Sequence, residues 1–200
     1  MRRTKEDAET TRLKVIEAAL ELFSQHGYSH TTLAMIANAA GFSRGPIYWH
    51  FKNKDELYEA VLHYSQAPLE QLVAQSLALE ATPMDALRYF CEQWFTLLLE
   101  NRWHRQSFEI LLNKTELTAQ MSGTVRRERK LTRKIVSSLE RLIAHAQDSK
   151  QLPAQNSEQS AVLLYTALMG VTHTWLVDAK LFSLKKNAPE FSERLLRLLH

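Results

Sequence analysis

One cysteine, five glycines and five prolines in 200 residues leave several architectures without the residues they need. A lone Cys91 cannot build an intramolecular disulfide framework or a multi-cysteine zinc site, and it suits a reducing compartment. So few Gly and Pro cannot supply the turn chemistry of an all-β protein, which leaves an all-α chain. The polar, charged N-terminus contains no apolar signal region, so a cytoplasmic protein is expected. The sequence has no P-loop, no G-x-S-x-G, no H-E-x-x-H and no Glu-x-x-His bundle motif. The i,i+4 pairs Glu59–His63 and Glu100–His104 lack a partner motif, so neither a metal, a cofactor nor an enzyme is expected.

A long uncharged run occurs at Ala161 to Val177, AVLLYTALMGVTHTWLV. It is at the short edge of what spans a bilayer, and Thr166, Thr172, His173 and Thr174 weaken it further. A helix apolar on all sides reads as an interior or an interface, and no membrane partner is expected.

What is present is organised around Thr31 to Lys54, TTLAMIANAAGFSRGPIYWHFKNK. Leu33, Ile36, Ala37 and Ala40 recur at helical spacing. Gly41 suits a left-handed helix end, Ser43 is placed to cap a second helix, and Pro46 falls inside that helix's first turn. Ala37 comes four residues before Gly41 and Ile47 six after it. A small residue at the crossing and an apolar one returned by the second helix give a helix-turn-helix signature. On a wheel of the second helix Ile47 and Phe51 face inward, Gly45 and Trp49 face outward, and Tyr48 and His50 flank. That layout suits a major groove, with Arg44 near the helix start where its fork matches guanine O6 and N7. Lys52 and Lys54 extend the basic rim.

Around this core the chain reads as a run of helices. Met1 to Lys5 is a basic arm that either reaches a minor groove or forms a tail. A first helix from Glu6 to His26 ends at Gly27, and its stripe is Leu13, Ile16, Leu20 and Phe23. Asn53 and Glu56 form a capping box for a long helix that Pro68 is expected to kink or interrupt. Thr82-Pro83 opens an aromatic-rich helix carrying Phe90, Trp94 and Phe95, with Trp103 and Phe108 beyond it. Met121 to Gln147 carries Arg126, Arg127, Arg129, Lys130, Arg133 and Lys134 opposite an apolar stripe, a solvated face or a second DNA contact. A final helix is expected to start at Asn187 and Glu190.

The stretch RGPIYWHFKNKDEL resembles the recognition helix and following turn of TetR-family transcriptional repressors, in particular the AcrR-like regulators of multidrug efflux pumps. FSLKKNAPEF, Phe182 to Phe191, resembles the linker between that subgroup's last two helices. That family usually has Ala where this chain has Pro46.

The resemblance implies about nine helices: a three-helix DNA-binding domain at 1–53 and a ligand-binding and dimerisation domain at 54–200. It implies a homodimer through the two C-terminal helices, binding double-stranded operator DNA that is palindromic. Thr32, Ser43, Tyr48, His50 and Lys54 would hold phosphates, and Arg44, Gly45 and Trp49 would face the bases. It also implies release by a small hydrophobic or cationic inducer. The candidate chamber is Phe90, Trp94, Trp103, Phe108, Met169 and His173, with Glu70 and Glu109 as acids for a cation. The alternatives are a constitutive DNA-binding dimer without a pocket, and an all-α enzyme or metal carrier with an incidental basic cluster.

Overall fold

A computed structural model of the chain describes residues 5–115 and 122–200. Among the described residues there is no strand, and the helices are α1 (Lys5–His30), α2 (Leu33–Ala39), α3 (Arg44–His50), α4 (Lys54–Ala78), α5 (Pro83–Glu100), α6 (Arg102–Asn113), α7 (Ser122–Asp148), α8 (Ser157–Val177) and α9 (Leu184–Arg197). Most of the basic arm, and Met121, where the seventh helix was expected to begin, lie outside the described residues.

The chain forms two compact units, Met1–Gln66 with Trp103–Val125, and Ala67–Arg102 with Arg126–His200. Neither unit is one contiguous stretch, and α4 and α7 each contribute to both.

In the first unit, Gly27 breaks the helical path of α1 (φ 77°, ψ 167°), as its place in the sequence suggests, and one more turn follows to His30. The buried Thr31 closes that turn by donating its hydroxyl to the Gly27 carbonyl at 2.8 Å. Thr32 then caps α2, its hydroxyl accepting from Met35 N–H at 3.2 Å. Gly41 has φ +74°, the left-handed value that reverses the chain into α3.

Ile16, Leu20 and Phe23 of α1, Ile36 and Ala37 of α2 and Ile47 of α3 share one core with Phe51. Leu57 and Tyr58 of α4 and Ile110 of α6 complete it. Asn53 caps α4 as expected, accepting from Glu56 N–H at 2.8 Å, but Glu56 reaches back to Lys52 N–H at 2.7 Å rather than to the cap residue itself.

Pro68 does not interrupt α4, whose helical assignment runs on to Ala78. Its missing N–H leaves the Tyr64 carbonyl without its helical donor. At the next carbonyl, α6 intervenes: His104 Nδ1 lies 3.1 Å from the oxygen of Ser65.

In the second unit α5 packs on both α8 and α9, and α8 packs on α9. Its interior includes Leu87, Phe90, Cys91, Trp94, Phe95 and Leu98 from α5, with Ile135, Leu139 and Leu142 from α7. Two helix starts differ from expectation. Thr82 sits at the α5 cap position but donates its hydroxyl to Leu79 O instead of capping. The last helix begins at Leu184, because Ser183 caps it through Lys186 N–H.

α8 is long and apolar enough, by length and composition, to cross a membrane, yet only 22% of its most apolar window is buried within the chain. Ser160, Ala161, Leu164, Leu168 and Thr172 face inward, while Val162, Leu163 and Val177 face out.

Candidate functional site

The outward face of α3 is built from inside. Ile47 is fully buried and Phe51 nearly so, and they fix which side of this seven-residue helix looks away from the core. Tyr48 is then left 57% exposed and Trp49 71% exposed. Two large aromatic side chains in water on a helix this short are costly for a protein with nothing to lay against them. His50 is half-buried and stacks edge-on to Trp49, ring centres 4.6 Å apart. Arg44, the first residue of α3, is exposed and makes no ion pair with a described residue.

Gly45 is exposed, its φ is ordinary, and a Cβ built there would meet nothing within 4 Å. Nothing inside the protein requires a glycine there. The missing side chain clears room only on the outer surface, which is where a groove floor would lie.

Ser43 occupies the cap position of α3 but accepts no hydrogen bond from the helix, contrary to expectation. Pro46 removes one of the two possible partners. A serine cap bonds the N–H of the second or third helical residue; the third here is a proline with no N–H to give, and the N–H of the second, Gly45, is not taken up. The hydroxyl is left to face outward. Lys54 is placed differently from an open rim lysine. Its ammonium donates to the carbonyls of Tyr28 (2.9 Å) and Thr31 (3.0 Å) and lies 4.1 Å over the Tyr28 ring. Burial pushes its pKa down, with Asp55 opposing. Lys54 therefore locks the α1–α2 corner.

The aromatic set meant for a ligand falls into both units. In the second, Phe90 and Trp94 are buried with ring centres 5.9 Å apart, and Trp94 meets Tyr165 edge-on at 6.2 Å. Trp94 Nε1 donates to Thr172 Oγ1 at 2.8 Å, and Thr172 passes its own proton to Leu168 O. Glu70 lies 3.9 Å from Arg127, so its charge has a partner already. Met169 is half-buried, whereas His173 is exposed on the outward side of α8 with Gly170 and Thr174.

In the first unit, Trp103 packs beside the shared core and Phe108 meets His104 edge-on at 4.9 Å. Glu109 accepts from Ser24 Oγ at 3.2 Å. Burial pushes the His104 imidazole down to about 4, so it is held neutral.

Residues 15–61 match the family profile described as "Bacterial regulatory proteins, tetR family", and residues 82–200 match "MAATS-type transcriptional repressor, C-terminal region". The chain belongs to the TetR family of transcriptional regulators.

Among TetR relatives it is 31% identical over 199 residues to the HTH-type transcriptional regulator AcrR of Shigella flexneri, covering 98% of this chain and 93% of that one. The structure of NalD, the secondary repressor of the MexAB-OprM multidrug efflux pump in Pseudomonas aeruginosa, superposes with a TM-score of 0.86, 32% identity and 98% coverage of each chain. The complex of SmeT, repressor of a Stenotrophomonas maltophilia multidrug efflux pump, with triclosan superposes with a TM-score of 0.82 and 29% identity, covering 94% of this chain and 90% of that one.

Sequence reasoning missed several residues that hold this TetR reading head in place. Tyr28 donates its hydroxyl to Asp55 and its backbone N–H to Lys114 O at 3.2 Å, and burial, then that hydrogen bond, push its phenol well above its ordinary range. Arg12 lies 5.3 Å over the Phe51 ring. An aromatic directly after a helix-ending glycine was the available signal for Tyr28. The partners, Asp55 and Lys114, are too distant in sequence to have been paired with it.

Proposed function

We propose that this chain is a ligand-responsive repressor that binds a palindromic operator as a dimer and controls a multidrug efflux system. The observation that carries the reading is the outward face of α3, where exposed Tyr48 and Trp49 accompany Arg44, which has no ion pair among the described residues, and a glycine with nothing within 4 Å of a built Cβ. In the dimer two such helices enter major grooves one helical turn, about 34–36 Å, apart. Arg44 and Gly45 address base edges with Trp49, while Thr32, Ser43, Tyr48 and His50 hold phosphates. Lys54 supports them from behind and reaches a phosphate only with a donor left over from the α1–α2 corner.

The reading divides the labour at residue 53, with 1–53 binding DNA and 54–200 binding ligand and partner. The partner is a second copy, joined through α8 and α9, and the outward Val162, Leu163, Val177 and Leu198 support this assignment. So does Gly170, exposed in mid-helix with nothing within 4 Å of a built Cβ.

The inducer is a hydrophobic or cationic small molecule held within the second unit, contacting Phe90, Trp94 and Met169, with Glu70 as a further contact. It acts by binding one conformer better than the DNA-competent one, since equal affinity for both would shift nothing. The protein works in the cytoplasm, is not an enzyme and needs no cofactor.

Selection of random duplexes by the purified chain, with and without a panel of efflux-pump drugs, tests the reading. A palindromic consensus whose recovery falls with one class of drug is expected. Failure to enrich any sequence overturns it.

A further inference from the structure

A second charged surface lies on α7, well away in sequence from α3. Arg126, Arg129, Lys130, Arg133 and Lys134 are all exposed, and none makes an ion pair with a described residue. Their spacing of three and four residues puts them on one side of the helix, in a row about 12 Å long at 1.5 Å per residue. Cations of α7 outside this row behave differently. Arg127 pairs with Glu70, and Arg141 pairs through both guanidinium edges with Glu80. The one acid inside the stretch, Glu128, lies on the other side of the helix, where its charge acts on Tyr165 of α8. The fold thus pairs the cations that lie off this side of the helix or beyond it and leaves the five on it open. Five like charges held close together raise the energy of the free protein, and a polyanion would lower it.

We propose that this row is a sequence-independent docking surface for duplex DNA, rather than for an acidic protein or a membrane. This rests on the DNA-binding reading above only for the choice among polyanions. The row's composition supports the choice. Peripheral membrane helices insert an apolar face. The apolar stripe of α7, Leu131, Ile135, Leu139 and Leu142, is buried in its own unit, so none of it is available to insert. Protein interfaces are anchored by aromatic and arginine side chains seated in desolvated pockets, whereas this row is a file of exposed Arg and Lys on one helix, with Ser137 continuing it. A straight, rigid file of charges with no anchor suits a uniform ladder of phosphates, one per about 1.7 Å of duplex axis, contacted in any register. Such a surface would add a sequence-independent, salt-sensitive contribution to DNA binding.

The test is the salt dependence of binding by the full chain, from about 50 to about 200 mM salt, on a non-operator duplex and on a selected operator. The triple variant Arg129→Gln, Lys130→Gln, Arg133→Gln should flatten the log–log slope by about 2–3 on both duplexes, at roughly 0.9 per lost phosphate contact. Affinity for both should fall by the same factor, and operator preference should not change. Arg126→Gln with Lys134→Gln, on the same row, gives a second reading should the triple variant fold poorly.

Unchanged slopes on both duplexes overturn the proposal. So does a variant that keeps its DNA slope but loses binding to polyglutamate or to anionic phosphatidylserine vesicles, since the partner would then be of another class. If Arg44→Ala leaves operator preference intact while the α7 variant flattens the non-operator slope, the operator reading fails and this one stands.

Discussion

α3 and α8 both present large exposed side chains, and the two surfaces differ in chemistry, which is what the proposed DNA and the proposed second copy each require. On α3 the surplus is aromatic and basic: Arg44, Tyr48 and Trp49 around an open Gly45. On α8 it is aliphatic and small: Val162, Leu163 and Val177 with Gly170 between them. Neither glycine has a neighbour within 4 Å of a built Cβ, so packing among the described residues requires glycine at neither place. A charged and stacking surface calls for a polyanion with flat bases. An uncharged one calls for another apolar helix. Exposure alone marks a surface; its chemistry names what covers it.

The comparison breaks most visibly at Leu163, which is 50% exposed. Leu163→Asp should leave the helical signal of the chain intact yet dissociate the dimer, costing about 2–4 kcal/mol of association or more. Sedimentation velocity reads this directly, and a variant that still dimerises would show that α8 is covered by something other than a second copy.

Acid disturbs the interior without substituting either face. The His104 imidazole is held at about 4 in the fold against an ordinary value near 6.5, so the unfolded chain binds the extra proton first. Its contribution is complete above pH 6.5 and is lost as pH falls from there to about 4, on the order of 2–3 kcal/mol. Urea midpoints at several pH values should show that slope, and His104→Leu should reduce it.

Arg44→Ala should cost on the order of 1–3 kcal/mol of operator binding and relax base preference, as competition between operator and point-mutated duplexes would reveal. The smallest effect is also the most discriminating. Gly45→Ala and Gly170→Ala should each leave folding stability unchanged or raise it by up to about 1 kcal/mol, since alanine favours a helix. The first should weaken DNA binding alone and the second dimerisation. Thermal melts beside binding curves would separate the two.

Much of the outward face of α3 was legible in the sequence because its determinants are local. Ala37, Gly41, Ile47 and Phe51 lie within fifteen residues, and their spacing alone orients α3. The capping role of Ser43 was misread with Pro46 in plain view: its missing N–H was weighed as harmless in a first turn, and not as a partner lost to the cap. Lys54 was harder. Its partners are backbone carbonyls at Tyr28 and Thr31, brought within reach only by the turn at Gly27. The grouping of α6 with the first unit was not legible at all. It depends on Ile110, with Trp103 and Leu111 beside it, returning to a core made by residues up to a hundred positions earlier, and no periodicity records that.

Methylation protection of guanine N7 on the selected operator tests the central claim most directly. Two protected major-groove patches should appear one helical turn apart, or a whole multiple of it, and both should vanish with Arg44→Ala at protein concentrations that still occupy the DNA. Protection that is absent from the wild type, or that survives in Arg44→Ala, would contradict the assignment of the outward face of α3 as the operator reader.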